Sequence, residues 1–384
     1  MKITLDQAFK FLMGGEKRYN LSMSKLILGG VLLLLSGLGS YLLLGNSVTT
    51  STPGKLIGDY ITKKEINEEK YNPPAIEQIF SEIRPKIVSS SLKPVITLID
   101  TGDVIPARSV NYQSTIRKNF RWSFEKTADF LKSGDITFIN LETPLIKNCP
   151  ITQEGMIFCG SDKHIEGLVF AGVDIANLAN NHAGNHGKAG INETVQLLNN
   201  NGILTTGING PIFKEIEGVK FAFLGYNDIE KTSIVESANE EKMKQEISDA
   251  DKKADVVIVQ FHWGTEYLTE PEDRQKELAR ISIDSGADLI IGNHPHWIKP
   301  VEYYNGKLIT YAHGNFVFDQ EWSQKTKEGV VGKYTFLSKD LADVEYFPVE
   351  IKDYGQPYFL EGDKKQKILN EMKNESLKLI SPAP

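Results

Sequence analysis

Cysteine is nearly missing from this chain: 384 residues hold only Cys149 and Cys159. Neither is flanked by histidine, which excludes a zinc-thiolate site. The short loop between them contains Pro150 and Gly155, a spacing that suits a disulfide made in an oxidising compartment; two unrelated buried thiols are the competing reading. Positive charge is also in deficit, with 43 Lys and Arg against 50 Asp and Glu and a net charge of -7. No basic patch is interleaved with aromatics, so the electrostatic footprint of a nucleic-acid-binding protein is absent. No internal repeat is evident. What remains, 40% hydrophobic and 24% charged residues, is ordinary globular composition.

One long uncharged run stands apart. Leu26 to Gly45 carries no charged side chain, and at ~1.5 Å per residue its twenty residues make a helix of about 30 Å, enough to cross a bilayer. Lys2, Lys10, Lys17, Arg18 and Lys25 precede the run against Asp6 and Glu16, whereas Lys55 alone follows it before Asp59. The positive-inside rule therefore puts residues 1–25 in the cytoplasm and everything after Gly45 outside. The long leader and the lack of a small-x-small site favour an uncleaved anchor over a cleaved signal peptide. No cysteine lies near the run, which excludes a lipid-modified amino terminus. The expected organisation is a cytoplasmic leader (1–25), a transmembrane helix (26–45), an extracytoplasmic tether (46–93), a folded domain (94–360) and a tail (361–384) in which Lys364–Pro384 reads as a charged helix and a frayed end. The protein is then a single-pass membrane protein with the bilayer itself as one partner.

From Val95 onward apolar runs alternate with helix-period segments. Strands are predicted at Val95–Ile99, Ile136–Asn140, Asp174–Leu178, Ile203–Thr206, Val219–Leu224, Asp255–Phe261 and Leu289–Gly292, with helices at Ser114–Leu131, Lys188–Asn201, Ser233–Ile247 and Asp273–Ser285. Asn305-Gly306 reads as the turn of a hairpin between Lys299–Tyr304 and Lys307–Tyr311, and Lys333–Leu337 and Asp343–Ile351 add antiparallel strands. This is an α/β domain completed by antiparallel strands.

The polar residues gather at the carboxyl ends of the predicted strands, where ligands bind in open α/β sheets. Asp103 follows the first strand and Glu142 the second. Asn181 and His182 follow the third, His262 follows Val256–Phe261, and His294 and His296 follow Leu289. His294 and His296, one residue apart at a strand end, are expected to point the same way. Carboxylate, carboxamide and imidazole together suit manganese, iron or zinc. Six such side chains are too many for one tetrahedral zinc and fit two divalent metal ions bridged by a carboxylate, a centre that activates water. His182 is placed to protonate a leaving oxygen. His186 and His313 read as solvent-exposed bystanders, and His164 has no evident partner.

These blocks resemble a known family. Gly102–Val104, Asn140–Pro144, Asn180–Gly187, His262–Tyr267 and Gly292–His296, followed by Tyr311, Gly314, Asn315 and Phe316, look like the signature of CapA-type proteins, the PgsA-like components of poly-γ-glutamate capsule synthesis. The resemblance runs from about Val95 to Phe318. It implies a metallophosphoesterase-like two-sheet β sandwich flanked by helices, with the site at the strand ends of an anchored, outward-facing protein. By position it assigns Asp103, Glu142, Asn181, His262, His294 and His296 to metal binding, and Arg108 to a basic residue that meets an anionic substrate. It implies an extracytoplasmic metal-dependent hydrolase or phosphatase-like protein in synthesis or export of an anionic polymer. Capsule synthesis and export membrane proteins, and the polymer or a phosphoester, are its partners. A non-catalytic scaffold or polymer-binding subunit is the alternative. The chain departs from the family pattern at Asn185, Asn293, Ala312 and His313.

Overall fold

The computed structural model describes residues 73–84, 86–87, 93–230 and 232–380. The apolar run at Leu26–Gly45, its leader and most of the expected tether lie outside the described residues. Among the described residues no helix is long and apolar enough to cross a membrane.

In chain order, the first half runs through α1 (Ile76–Ile79), β1 (Val95–Asp100), β2 (Asp103–Val104), α2 (Arg108–Arg117), α3 (Ala128–Leu131), β3 (Ile136–Asn140), β4 (Leu145–Ile146), β5 (Gly160–Ser161), α4 (Ile165–Phe170), β6 (Ile175–Asn177), α5 (Gly187–Asn200) and β7 (Leu204–Thr206). The second half comprises β8 (Ile212–Ile216), β9 (Val219–Asn227), α6 (Glu240–Asp251), β10 (Val256–His262), α7 (Asp273–Asp284), β11 (Leu289–Asn293), β12 (Val301–Tyr304), β13 (Lys307–Thr310), β14 (Asn315–Val317), β15 (Glu328–Leu337), β16 (Asp340–Lys352), β17 (Gln356–Phe359) and α8 (Gly362–Ile380). One sheet has the order β17-β16-β15-β1-β3-β6-β7 and the other β12-β13-β11-β10-β9-β8. In each the central strands are parallel, β1-β3-β6-β7 and β9-β10-β11-β13.

Alternation within the strands explains why the sheets stack. Ile96, Leu98, Ile136 and Phe138 of the first sheet share an apolar layer with Phe221, Phe223, Val256, Ile258, Leu289 and Ile291 of the second, with Phe138 edge-on to Phe223 at 5.3 Å. The opposite faces are buried too. Ile99 and Ile139 pack with Leu131, Leu168 and Leu198, and Val257, Val259 and Ile290 pack with Met243, Ile247 and Leu278 from α6 and α7. Strands buried on both sides read as near-continuous apolar runs, which is why they were legible as strands.

Several predicted boundaries move. The helix expected over Ser114–Leu131 is instead α2, a single 3-10 turn at Trp122–Phe124, and α3. Lys118 takes a left-handed conformation, φ 51°, and ends α2 there. The helix expected from Ser233 begins only at Glu240, where Asn239 caps it by accepting from Lys242 N at 3.0 Å. The hairpin is as expected, with Asn305 and Gly306 both at positive φ. Cys149 and Cys159 form a disulfide. The stretch read as a tether supplies Ile76 and Ile79 to the inner core, and α8, the charged helix expected in the tail, supplies Ile368, Leu369 and Met372. Arg84 joins the same region by pairing with Asp343 and Glu345.

The burial of Ile79 generates a test. Ile79→Ala should lower the unfolding free energy by about 2–4 kcal/mol in urea titration, the range for deleting a buried branched side chain. An unchanged midpoint would return this segment to the status of a tether.

Candidate metal centre

Five strand ends deliver the site. Asp103 opens β2, which is held against β14 by Asp103 N donating to Gly314 O at 2.9 Å. Glu142 lies two residues past β3, its N donating to Val104 O at 3.0 Å. Asn181 and His182 sit in the turn after β6, His262 ends β10, and His294 and His296 follow β11. Asp103, Glu142, His262, His294 and His296 are all buried.

His294 and His296 do not converge by strand alternation as expected. The strand stops at Asn293, and both residues lie beyond it in left-handed backbone, with φ 95° and 57°. For residues other than glycine this conformation costs on the order of 1–3 kcal/mol each, and it persists where the surroundings impose it. Here Asp103 Oδ2 accepts from His294 N at 3.3 Å. Gly292 is a required glycine, because a Cβ there would lie 2.0 Å from Tyr311 O.

The donor atoms are crowded in a way that protons cannot satisfy. His262 Nε2 has Asn181 Oδ1 at 2.8 Å, His294 Nδ1 at 3.1 Å and Glu142 Oε1 at 3.4 Å. A ring nitrogen has one proton or one lone pair to offer. His296 Nδ1 similarly faces Asn315 Oδ1 at 2.9 Å and Asp103 Oδ2 at 3.1 Å. Glu142 is wholly buried with neither carboxylate oxygen in a hydrogen bond. Two triads of donor atoms, Asp103/Glu142/His296 and Glu142/His262/His294, each lie within 4.8 Å of one another and share Glu142. Metal–ligand bonds of ~2.1 Å place neighbouring donors about 3.0–3.4 Å apart, so the residues present fit divalent metal, with Glu142 common to both groups.

Electrostatics points the same way. Burial, with the charge of Asp103 beside it, pushes the Glu142 carboxyl well above the usual range. Burial lowers His262 to about 3 and His294 well below its usual value, so both are neutral imidazoles. Burial opposes a charge on His296 as well, yet its hydrogen bond to Asp103 and the nearby Glu142 raise it to about 9.

Residues that sequence reasoning missed complete the walls. Asn140 Nδ2 donates to Asp103 Oδ1 at 2.8 Å and lies 3.2 Å from His262 Nδ1. Its place at the end of β3 was the signal that could have revealed it. Glu266, four residues past His262, forms a further donor group with His294 and His296. Asn293, facing the inter-sheet side like its ladder partner His262, is buried with no hydrogen-bond partner on its amide.

Two predicted residues are held differently from expectation. Arg108 is ion-paired with Asp319 and packs against the rings of Phe158 and Phe318, 4.8 and 4.9 Å from their centroids. His182 stacks on Phe158 at 4.0 Å and its Nδ1 is 2.9 Å from Asn185 Oδ1. That oxygen also accepts from Phe158 N at 2.6 Å, which fixes the amide orientation and puts the ring proton on Nδ1. Burial lowers His182 to about 4, which favours the neutral ring with its lone pair on Nε2.

His313 is no solvent-exposed bystander. It is fully buried, with Nδ1 3.0 Å from Asp100 Oδ1 and Nε2 2.9 Å from Tyr334 OH, and Gln260 Nε2 donates to Asp100 Oδ2 at 2.8 Å. Burial raises Asp100 to about 6. This polar network lies between the sheets, directly behind β2 and β14, where the alternation of an apolar run gave no hint of it. His164 is buried too, its Nε2 3.1 Å from Asn111 Oδ1. His186 is partly exposed at the start of α5.

The orphaned carboxylate generates a prediction. In metal-free protein Glu142→Gln should leave stability unchanged or raise it, by up to about 1–3 kcal/mol, because a buried carboxyl forced to take up a proton gives way to an amide that needs none. Wild type, but not the variant, should gain about 2.7 kcal/mol at a Mn(II) concentration a hundredfold above Kd. A variant that keeps this metal-dependent gain in thermal unfolding would contradict the bridging geometry.

Against known proteins, the family model described as bacterial capsule synthesis protein PGA_cap matches residues 97–320. The chain is 30% identical over 311 residues to the PGA biosynthesis protein CapA of Bacillus subtilis, covering 76% of this chain and 81% of that one. It is 29% identical over 285 residues to the capsule biosynthesis protein CapA of Bacillus anthracis, covering 68% of this chain and 69% of that one. Among solved structures, one described as a novel phosphatase of Mycoplasma pneumoniae is 15% identical, with a TM-score of 0.47 over 69% of this chain and 96% of that one. The matched region encloses every residue of the cluster, and the chain belongs to the bacterial capsule synthesis protein (PGA_cap) family, of CapA type.

Proposed function

We propose that this protein is a metal-dependent hydrolase with a metallophosphoesterase-like site that takes two divalent ions (Mn, Fe or Zn). It acts outside the membrane, anchored by the Leu26–Gly45 helix, in synthesis or export of an anionic capsule polymer such as poly-γ-glutamate. The observation that carries the catalytic part is Glu142, buried without a hydrogen bond between two triads of donor atoms. The names of the relatives, PGA biosynthesis and capsule biosynthesis, support the polymer. The uncharged run and its basic flank support the anchor. Capsule synthesis and export membrane proteins are its proposed partners.

A bound ion pair supplies an activated water and positive charge for the oxygens of the reacting centre. The chain's own residues do the rest. Asp103 and His296 would hold one ion, His262 and His294 a second, and Glu142 would serve both. Asn140 and Asn315 fix Asp103 and His296 by hydrogen bonds, so the carboxylate and imidazole keep their aim before substrate arrives. Asn181 adds an amide oxygen beside His262. His182, clamped by Phe158 and Asn185, offers its Nε2 lone pair to a hydroxyl or water at the mouth.

The full chain, purified in detergent and loaded with Mn(II), should hydrolyse a chromogenic substrate with Asp103→Asn and His296→Ala lowering kcat on the order of 10²–10³-fold. In a cell depending on this chain for capsule, both variants should lose the polymer. Capsule retained in both variants but lost when residues 1–45 are deleted would favour the non-catalytic scaffold instead.

A further inference from the structure

The mouth of the site carries one negative charge more than a bridged metal pair uses, and its obvious cation is unavailable. Glu266 places a carboxylate oxygen within 4.8 Å of ring nitrogens of His294 and His296. Its charge acts on Glu142, His182, His262 and His296 as well. Arg108, which the sequence offered for an anion, is already ion-paired with Asp319 and rests against the rings of Phe158 and Phe318. Lys299 is fully buried and turned elsewhere, donating to Glu270 O at 2.9 Å and Gln275 Oε1 at 2.8 Å. Phosphoryl-transfer sites surround a dianionic group with Arg, Lys or metal charge. This one adds a carboxylate and withholds the guanidinium.

The hydrogen-bonding capacity left over is neutral. Both polar atoms of the buried Asn293 amide lack partners. A carboxamide that donates and accepts matches a carbonyl and N–H pair better than it matches a dianion. The remaining wall is aromatic, with Tyr267 lying 6.2 Å from His296 and 6.3 Å from the exposed Trp322, centroid to centroid.

We propose that Glu266 is a specificity-determining residue that disfavours doubly charged phosphoryl groups and selects an uncharged carbonyl, so that the bond taken is a C–N amide bond rather than a phosphoester. This rests on the hydrolase reading above and names its substrate class. The reaction balances with one water. Its oxygen bonds to the carbonyl carbon as the C–N bond breaks, one water proton goes to the leaving nitrogen, and a carboxylic acid and an amine result. The polymer proposed above, poly-γ-glutamate, makes a glutamyl amide the natural first probe.

The test uses the Mn(II)-loaded full chain with three probes: γ-glutamyl-p-nitroanilide, p-nitrophenyl phosphate, and inorganic phosphate titrated by calorimetry. Wild type should cleave the anilide with the higher kcat/KM. Glu266→Gln should tighten phosphate binding on the order of tenfold and shift the kcat/KM ratio toward the phosphoester, whereas Glu266→Asp, which keeps the charge, should stay near wild type. Faster cleavage of the phosphoester by wild type, or phosphate affinity that ignores Glu266→Gln, overturns the inference while leaving a hydrolase in place. A metal-loaded chain that cleaves neither chromogenic probe overturns the hydrolase reading itself, and with it the amide assignment.

Discussion

A carboxylate with no hydrogen-bond partner, wholly removed from water, is among the costliest things a fold can contain, and Glu142 is one. The surrounding chain is arranged as though that cost has an answer. Asp103 and His296 stand on one side, His262 and His294 on the other, and donor atoms crowd nitrogens that have one proton or lone pair each. Left-handed backbone at both His294 and His296 is a second expense incurred at the same place. Natural sequences concentrate such local violations at functional sites, which is why two of them within one loop and its neighbour point to chemistry rather than to packing.

The sandwich makes this arrangement possible. Parallel strands in both sheets send their carboxyl ends to the site, so five loops from distant parts of the chain meet. Apolar packing between the sheets, with Phe138 on Phe223 and Phe221 on Phe336, fixes how far apart the two sets of loops lie. Behind the site, Asp100, His313, Tyr334 and Gln260 replace that packing with a hydrogen-bonded network. It ties the end of β1 to the residue before Gly314, and Gly314 in turn positions Asp103 through its carbonyl.

Much of this was legible because it is local. A polar residue closing an apolar run is visible in the sequence, and Asp103, Glu142, Asn181, His262, His294 and His296 are all of that kind. So are the strands themselves and the Asn305-Gly306 turn. What escaped notice depends on neighbours far along the chain. Glu266 lies in a loop whose direction is set by Tyr267 N donating to Pro295 O at 2.9 Å. Asp319 takes Arg108 out of play from 211 residues away. His313 looked exposed because its immediate neighbours, Ala312 and Gly314, give no sign that Asp100, Tyr334 and Tyr346 of the first sheet cover it. The bend that brings His294 and His296 together was also invisible, since residue spacing alone suggested a strand.

The central claim is that Glu142 bridges two ions, and anomalous diffraction from crystals of the protein grown with Mn(II) or Zn(II) tests it most directly. The account predicts two anomalous peaks about 3.5–4 Å apart, one beside Asp103 and His296 and the other beside His262 and His294, with the Glu142 carboxylate between them. A single peak away from Glu142, or none in metal-replete crystals, would contradict it.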